Sequence, residues 1–264
     1  MARHDDRDRR TALSFGREAA AYDRGRPGYP DDAVEWALAQ AGGQHVSDGR
    51  SRHPWGLLDV VDLGAGTGKL TASLLGRAET VTAVEPDPQM RQLIETNLPE
   101  AVTLEGTAES LPLPDASADL ITVAQAWHWV DVPAASREVA RVLRPDGALA
   151  LIWNVRDETV PWVAALGRVI GSSIAEDYDT VHPLLGEPLE TDAYAEFHWT
   201  AQLDRPTLHA TVASRSYVIA MRTAERNALF AELDDLLDAH PDLAGLDLYP
   251  LPYITRVTMA RPAR

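Results

Sequence analysis

The run Val60-Val61-Asp62-Leu63-Gly64-Ala65-Gly66-Thr67-Gly68-Lys69 constrains the fold more than any other stretch of the chain. Residues 57–61 read as a short buried strand. An acidic residue follows, then three glycines at every second position. Residues 70–77 have the composition of a helix. Strand, tight turn and helix start thus succeed one another. Glycine lets a backbone turn sharply and approach a ligand closely, because no Cβ intervenes. The helix start beyond offers unpaired N–H groups to polar or anionic ligand atoms.

Three ligand loops share this general layout. The dinucleotide fingerprint is G-x-G-x-x-G; here the third glycine comes one residue early, at Gly68, and Lys69 holds its place. The phosphate loop is G-x-x-x-x-G-K-[ST]. Gly68-Lys69 fits its end, but Leu63 replaces the first glycine and Leu70 replaces the hydroxyl that would hold Mg²⁺, so that reading is rejected. The third pattern, D-x-G-x-G-x-G, is met by Asp62, Gly64, Gly66 and Gly68. An ordinary strand-to-helix turn also fits, and the rest of the chain has to decide.

Residues 80–84 form a second strand, closed by Glu85-Pro86-Asp87, with Glu85 placed 17 residues beyond Gly68. In dinucleotide folds an acidic residue at this strand end binds the ribose, since a carboxylate accepts from both hydroxyls of a vicinal diol. Asp87 is better suited to cap the helix expected over 88–97, which carries Met90 in its first turn. Strands are expected over 102–105, 118–123 and 148–153, and a helix over 133–143. Arg144-Pro145-Asp146-Gly147 is a turn by residue type. This alternation indicates a parallel sheet with crossover helices. Gly64, Glu85, Thr107 and Gln125 then lie along its carboxyl edge, where open α/β sheets bind ligands.

Beyond residue 155 the pattern loosens. Helices are expected over 163–175, 208–221 and 224–239, strands over 195–203 and 252–260, and irregular chain over 177–192. With no internal repeat or clean linker, residues 1–264 read as one domain with helical insertions. Within it, 1–30 form an N-terminal arm or lid, 56–155 a cofactor-binding core, 156–250 substrate-side insertions with a late strand, and 251–264 the last strand.

The 264 residues are 45% hydrophobic, enough for a substantial core. No apolar run approaches the ~20 residues that span a membrane. Residues 3–10 are too charged for a secretory signal. The absence of cysteine excludes disulfides and thiolate metal sites. A cytoplasmic location is the expectation. A net charge of −16 opposes binding to nucleic acid or anionic lipid through the general field. Small molecules are the expected partners, and no metal-ligand set is visible.

Five pieces together carry a resemblance. They are Asp62-Leu63-Gly64-Ala65-Gly66-Thr67-Gly68, Val84-Glu85-Pro86-Asp87, Gly106-Thr107-Ala108-Glu109-Ser110-Leu111-Pro112, Gln125-Ala126-Trp127-His128-Trp129 and Leu143-Arg144-Pro145-Asp146-Gly147. In order and spacing the chain resembles the Rossmann-like S-adenosylmethionine-dependent methyltransferases. It is similar to the branch holding the ubiquinone-biosynthesis and trans-aconitate enzymes. The resemblance implies a doubly wound, seven-stranded, mostly parallel sheet with an antiparallel last strand, and S-adenosyl-L-methionine as cofactor. It implies that Gly64, Ala65 and Gly66 pass under the methionine part, with Asp62 also in the cofactor site. Glu85 would take the ribose hydroxyls. Pro86 and Met90 would flank the adenine, with Thr107 and Ala108 at its polar edge. Gln125 would start the loop between cofactor and acceptor.

The expected reaction is methyl transfer to a small-molecule acceptor, through a carboxylate or hydroxyl oxygen. Non-methyl chemistry on the same cofactor, a non-catalytic binder and a dinucleotide-linked reductase are the alternatives. Tyr22, Arg26 and Tyr29 lie on a Gly/Pro-bearing arm that either packs on the core or covers the cofactor. His128 is the catalytic candidate. An extended backbone would send Trp127 and Trp129 to one side and His128 to the other. There a neutral imidazole can take a proton or donate a hydrogen bond; the alternative is a histidine that holds its own loop. Tyr178, His182, Tyr217 and Arg222 are candidates for the acceptor pocket.

Overall fold

The structure, a computed structural model, describes residues 25–42, 57–171 and 178–263. Tyr22 lies outside these residues. The amino-terminal half runs α1 (Asp31–Gly42), β1 (Asp59–Leu63), α2 (Lys69–Leu74), β2 (Thr80–Val84), α3 (Pro88–Asn97), β3 (Val102–Leu104), β4 (Ala118–Ala124), a 3-10 turn (Trp127–Trp129) and α4 (Val132–Val142). The carboxyl half runs β5 (Leu143–Arg156), α5 (Pro161–Ile170), β6 (Leu189–Leu203), α6 (Arg205–Ala213), α7 (Ser216–Ile219), α8 (Thr223–Ala239) and β7 (Tyr249–Pro262).

Among the described residues seven strands form one sheet in the order β3-β2-β1-β4-β5-β7-β6. Strands β1 to β5 pair in parallel, and β7 runs antiparallel to both β5 and β6. The strand order reverses between β1 and β4, and such a switch point opens a crevice at the carboxyl edge. This is the expected Rossmann-like sheet, antiparallel last strand included.

Burial explains the apolar strands. Along β5, Leu149, Leu151 and Trp153 enter one core cluster, while Ala148, Ala150 and Ile152 enter the other. Side chains alternate across a strand, so a sheet covered on both faces needs apolar residues at successive positions. Helices α1 and α2 fill one face and α4 the other. A third cluster joins α5, α6 and α8 to β6 and β7.

Several boundaries differ from expectation for local reasons. Helix α1 begins at Asp31, and the Pro30 carbonyl accepts from the Ala33 and Val34 amides there. Asp87 caps α3 as expected, accepting from the Gln89 and Met90 amides. In place of the turn expected at 144–147 the structure has a bulge inside β5: Leu143 pairs with Ala118 and the next pair is Ala148 with Leu120. Helix α5 stops early because Gly171 takes φ 67°. The helix expected over 208–221 breaks between Ala213 and Ser216. Strand β6 starts at Leu189, six residues earlier than expected. Its opening Leu-Glu-Thr-Asp has no strand-like alternation. It is held by pairing with the end of β7, and Arg261 bonds Asp192 at 2.8 Å.

Candidate functional site

A cavity of about 660 Å³ lies at the carboxyl edge over the switch point. Its first wall begins with the glycine loop. Gly64 and Gly66 take φ 68° and 58°, in the left-handed region where a Cβ is strained. A Cβ on Gly64 would also press on Ala126, 2.9 Å away. The loop is tied down by the Gly64 amide on the Val84 carbonyl, at 2.8 Å.

Asp62 sits fully buried beneath this loop. It accepts from the Thr71 hydroxyl at 2.6 Å and the Thr122 hydroxyl at 3.2 Å, so β1, α2 and β4 meet on one carboxylate. Burial pushes its carboxyl up to about 6, against the lowering by those hydroxyls. Glu85 is also buried, and burial raises its carboxyl above the usual range. One Glu85 oxygen accepts from the Gly66 amide at 2.8 Å, the other from the Asp87 amide at 2.9 Å. An ionised carboxylate offers about four lone-pair sites. Two are thus used to fix its orientation, and one on each oxygen remains.

The opposite side begins at the end of β4. Gln125 takes φ 57°, its side chain donating to the Asn154 carbonyl at 3.0 Å. The chain then enters the 3-10 turn, and this corrects the expected extended geometry. A 3-10 helix turns three residues per revolution, so the two tryptophans diverge. Trp127 is fully buried and donates to the Leu184 carbonyl at 2.8 Å. Trp129 lines the cavity beside His128, with ring centroids 4.8 Å apart. Tyr178 faces both His128, at 6.0 Å, and Trp153, on which it stacks at 5.5 Å. Burial, aided by the nearby Arg26 guanidinium, holds the His128 imidazole down at about 4. Its Nδ1 is buried without a hydrogen-bond partner among the described residues.

The cavity is lined by Arg26, Asp62, Gly64, Ala65, Gly66, Glu85, Pro86, Met90, Thr107, Ala108, Gln125 and His128, every expected site residue that lies among those described. Of the acceptor candidates, Tyr178 lines it. The other three are corrected. His182 is exposed beside Asp179. Arg222 points to solvent and pairs with Glu225. Tyr217 donates to the Ile170 carbonyl and packs on the third cluster. The arm at 25–30 is fastened to the rest of the fold. Arg26 donates to the Ser214 carbonyl at 3.4 Å, and the Asn154 amide donates to the Gly28 carbonyl at 2.9 Å. Sequence reasoning missed Arg156, Thr180 and Arg256, which also line the cavity. Their signal was weak: two lie on strands that pair across 100 residues of chain.

Among the described residues no helix is long and apolar enough to cross a membrane, and no group of three His, Asp or Glu side chains is placed to hold a metal ion.

Comparison with known proteins agrees with this geometry. Residues 61–151 match the family described as methyltransferase domain. An uncharacterized methyltransferase of Mycobacterium tuberculosis is 44% identical over 252 residues, which cover 94% of this chain and 97% of the relative. An uncharacterized methyltransferase-like protein of Schizosaccharomyces pombe is 29% identical over 92% of this chain and 93% of its own. The fold matches that of a candidate type II methyltransferase from Anaeromyxobacter dehalogenans, with a TM-score of 0.64, 24% identity and coverage of 90% and 97%. The glycine loop, the buried acid at the end of β2 and the 44% identity lead to one assignment: this chain belongs to the methyltransferase family.

Proposed function

We propose that the chain transfers the methyl group of S-adenosyl-L-methionine to an oxygen atom of a small-molecule acceptor. The observation that carries this reading is the Glu85 carboxylate. Two backbone amides orient it, and one lone pair per oxygen remains, which matches the two hydroxyl donors of a ribose diol. Asp62, Gly64, Ala65 and Gly66 would hold the methionine part. Pro86 and Met90 would flank the adenine, and Thr107 with Ala108 would meet its polar edge. The cofactor supplies a sulfonium methyl, already activated for in-line displacement.

The remaining task of this chain is to bind, orient and exclude water. Orientation of two reactants is worth roughly 7–11 kcal/mol, more than the roughly 10²–10⁴ in rate from a general base. His128 serves as an orienting donor in this reading. Orphaned buried N–H groups are rarer than orphaned acceptors, so we assign its proton to Nε2 and leave Nδ1 bare. A pKa of about 4 keeps the ring neutral near pH 7. Its N–H can then meet an acceptor oxygen that carries its own charge or lone pairs. A carboxylate needs no base.

The arm at 25–30 would cover the entrance. The segments after Arg156 share the sheet through β7 and would complete the same single domain. Calorimetry with S-adenosylmethionine, S-adenosylhomocysteine and NAD tests the cofactor. Binding to NAD alone would end the proposal. Turnover on a panel of carboxylic acids, phenols and amines tests the acceptor atom, and methylated amine as the sole product would remove the oxygen assignment.

A further inference from the structure

The charges that line the cavity are segregated. Among the described residues its three acids, Asp62, Glu85 and Glu109, all stand on the side built by β1, β2 and the loop after β3. Four of its five cations stand elsewhere: Arg156 ends β5, Arg256 lies on β7, Arg215 follows α6, and Arg26 lies on the arm fastened to the end of α6. Lys69, the fifth, begins α2. Such an arginine concentration contradicts the chain as a whole, which carries 40 acidic residues against 24 basic ones.

The neighbouring groups fit a specific kind of guest. Arg156 is buried, and a Glu158 oxygen accepts from it at 3.1 Å. Arg256 is held by Glu196 at 3.0 Å and by the Thr180 hydroxyl at 2.9 Å. A guanidinium fixed in this way stays planar and charged, with donors on several edges. Beside it Tyr178 stacks on the buried Trp153, and Trp129 lines the same cavity. Charged donors and ring faces together suit a ligand with an apolar planar body and an oxyanion.

We propose that the acceptor binds as an organic oxyanion, a carboxylate or a phosphate monoester. Its anionic group meets Arg256 and the other arginines that line the cavity, and its planar body lies along Trp129 and Tyr178. This deepens the methyl-transfer reading and rests on it. A chain of net charge −16 repels anions at long range, so the local arginines set the preference rather than the overall field.

The test uses the full chain loaded with S-adenosylhomocysteine and follows tryptophan fluorescence on titration with benzoate, phenyl phosphate, benzyl alcohol and benzylamine. Benzoate or phenyl phosphate should bind at least about tenfold more tightly than the neutral and cationic probes, the scale of one charge-assisted hydrogen bond. The preference should shrink with added salt. The tighter of the two anions identifies the oxyanion. Arg256→Gln and Arg215→Gln should each lose about tenfold or more in anion affinity, while S-adenosylhomocysteine affinity reports that the variant is folded. Arg256→Lys should retain part of the preference. Benzyl alcohol bound as tightly as benzoate, anion binding unchanged in both glutamine variants, or no anion bound at all would each overturn the proposal. Failure to bind S-adenosylhomocysteine would instead overturn the underlying methyl-transfer reading.

Discussion

The Gly66 amide donates to the Glu85 carboxylate at 2.8 Å, which ties the loop after β1 to the end of β2. The contact gives Glu85 two tasks. It shapes the loop from below and keeps a free acceptor site on each oxygen. An amide in its place has one acceptor oxygen and turns an NH₂ donor toward a backbone donor. Glu85→Gln should therefore weaken S-adenosylmethionine binding by about 1.5–3 kcal/mol, the scale of hydrogen bonds to a charged group. Calorimetry measures this directly, and unchanged affinity in a folded Glu85→Gln protein would contradict the placement of the ribose.

A separate expectation follows from the neutral His128. If its Nε2–H orients the acceptor, His128→Phe should lower turnover by about tenfold to a hundredfold with near-normal cofactor affinity. The wild-type profile of kcat/KM should show no inflection near pH 6.5 from this residue, because its pKa is held at about 4. A bell-shaped profile whose acidic limb lies near 6.5 and disappears in the variant would identify a general base instead.

The same histidine and Asp62 make opposite demands on stability. Between about pH 4 and 6.5 an unfolded chain protonates His128, whereas the folded chain keeps it neutral, so stability falls as pH falls. Between about pH 3.8 and 6 the folded chain keeps Asp62 protonated, whereas the unfolded chain ionises it, so stability falls as pH rises. The two slopes offset each other where they overlap. Asp62→Asn should expose the histidine slope, giving a protein that loses stability on acidification from pH 6 to 4.5. His128→Phe should expose the opposite slope. Urea unfolding of both variants across this range checks the signs, and parallel curves for the two would refute the account.

The arm offers a further prediction. Gly25 packs so closely on α6 that a Cβ there would collide with the Ala210 carbonyl. Gly25→Val should lift the arm, and with it Arg26. Hydrogen exchange at residues 26–29 should rise in the variant, and cofactor should protect these amides in the wild type. Equal exchange with and without cofactor would leave the arm a plain docking segment.

Much of the cofactor wall was legible because it is local. Asp62, Gly64, Gly66 and Glu85 owe their positions to a strand end and the turn after it, and spacing along the chain encodes both. The acceptor side was less legible because it depends on which face a residue takes after distant strands pair. Arg156 and Arg256 reach the cavity on β5 and β7, whose pairing sets Tyr253 opposite Arg156 and Trp153 opposite Arg256, a relation that no periodicity announces. Tyr217 and Arg222 looked equally plausible from composition, yet the packing of α6 to α8 turned one to the Ile170 carbonyl and the other to water. Trp127 and Trp129 parted because the chain after Gln125 tightens into a 3-10 turn, which strand alternation does not describe.

The place of β7 in the sheet has a consequence for how the chain is made. β7 lies between β5 and β6, although it follows β6 by 45 residues. On the ribosome, β1 to β5 can assemble as they emerge, and the glycine loop with them. β6 then waits as a solitary strand, its 15 residues without a sheet partner, until β7 arrives and slots in beside it. The nascent protein should thus acquire its cofactor loop well before Arg256 reaches the cavity. Over that interval the exposed β5 and β6 edges are the places where a holding chaperone has most to cover.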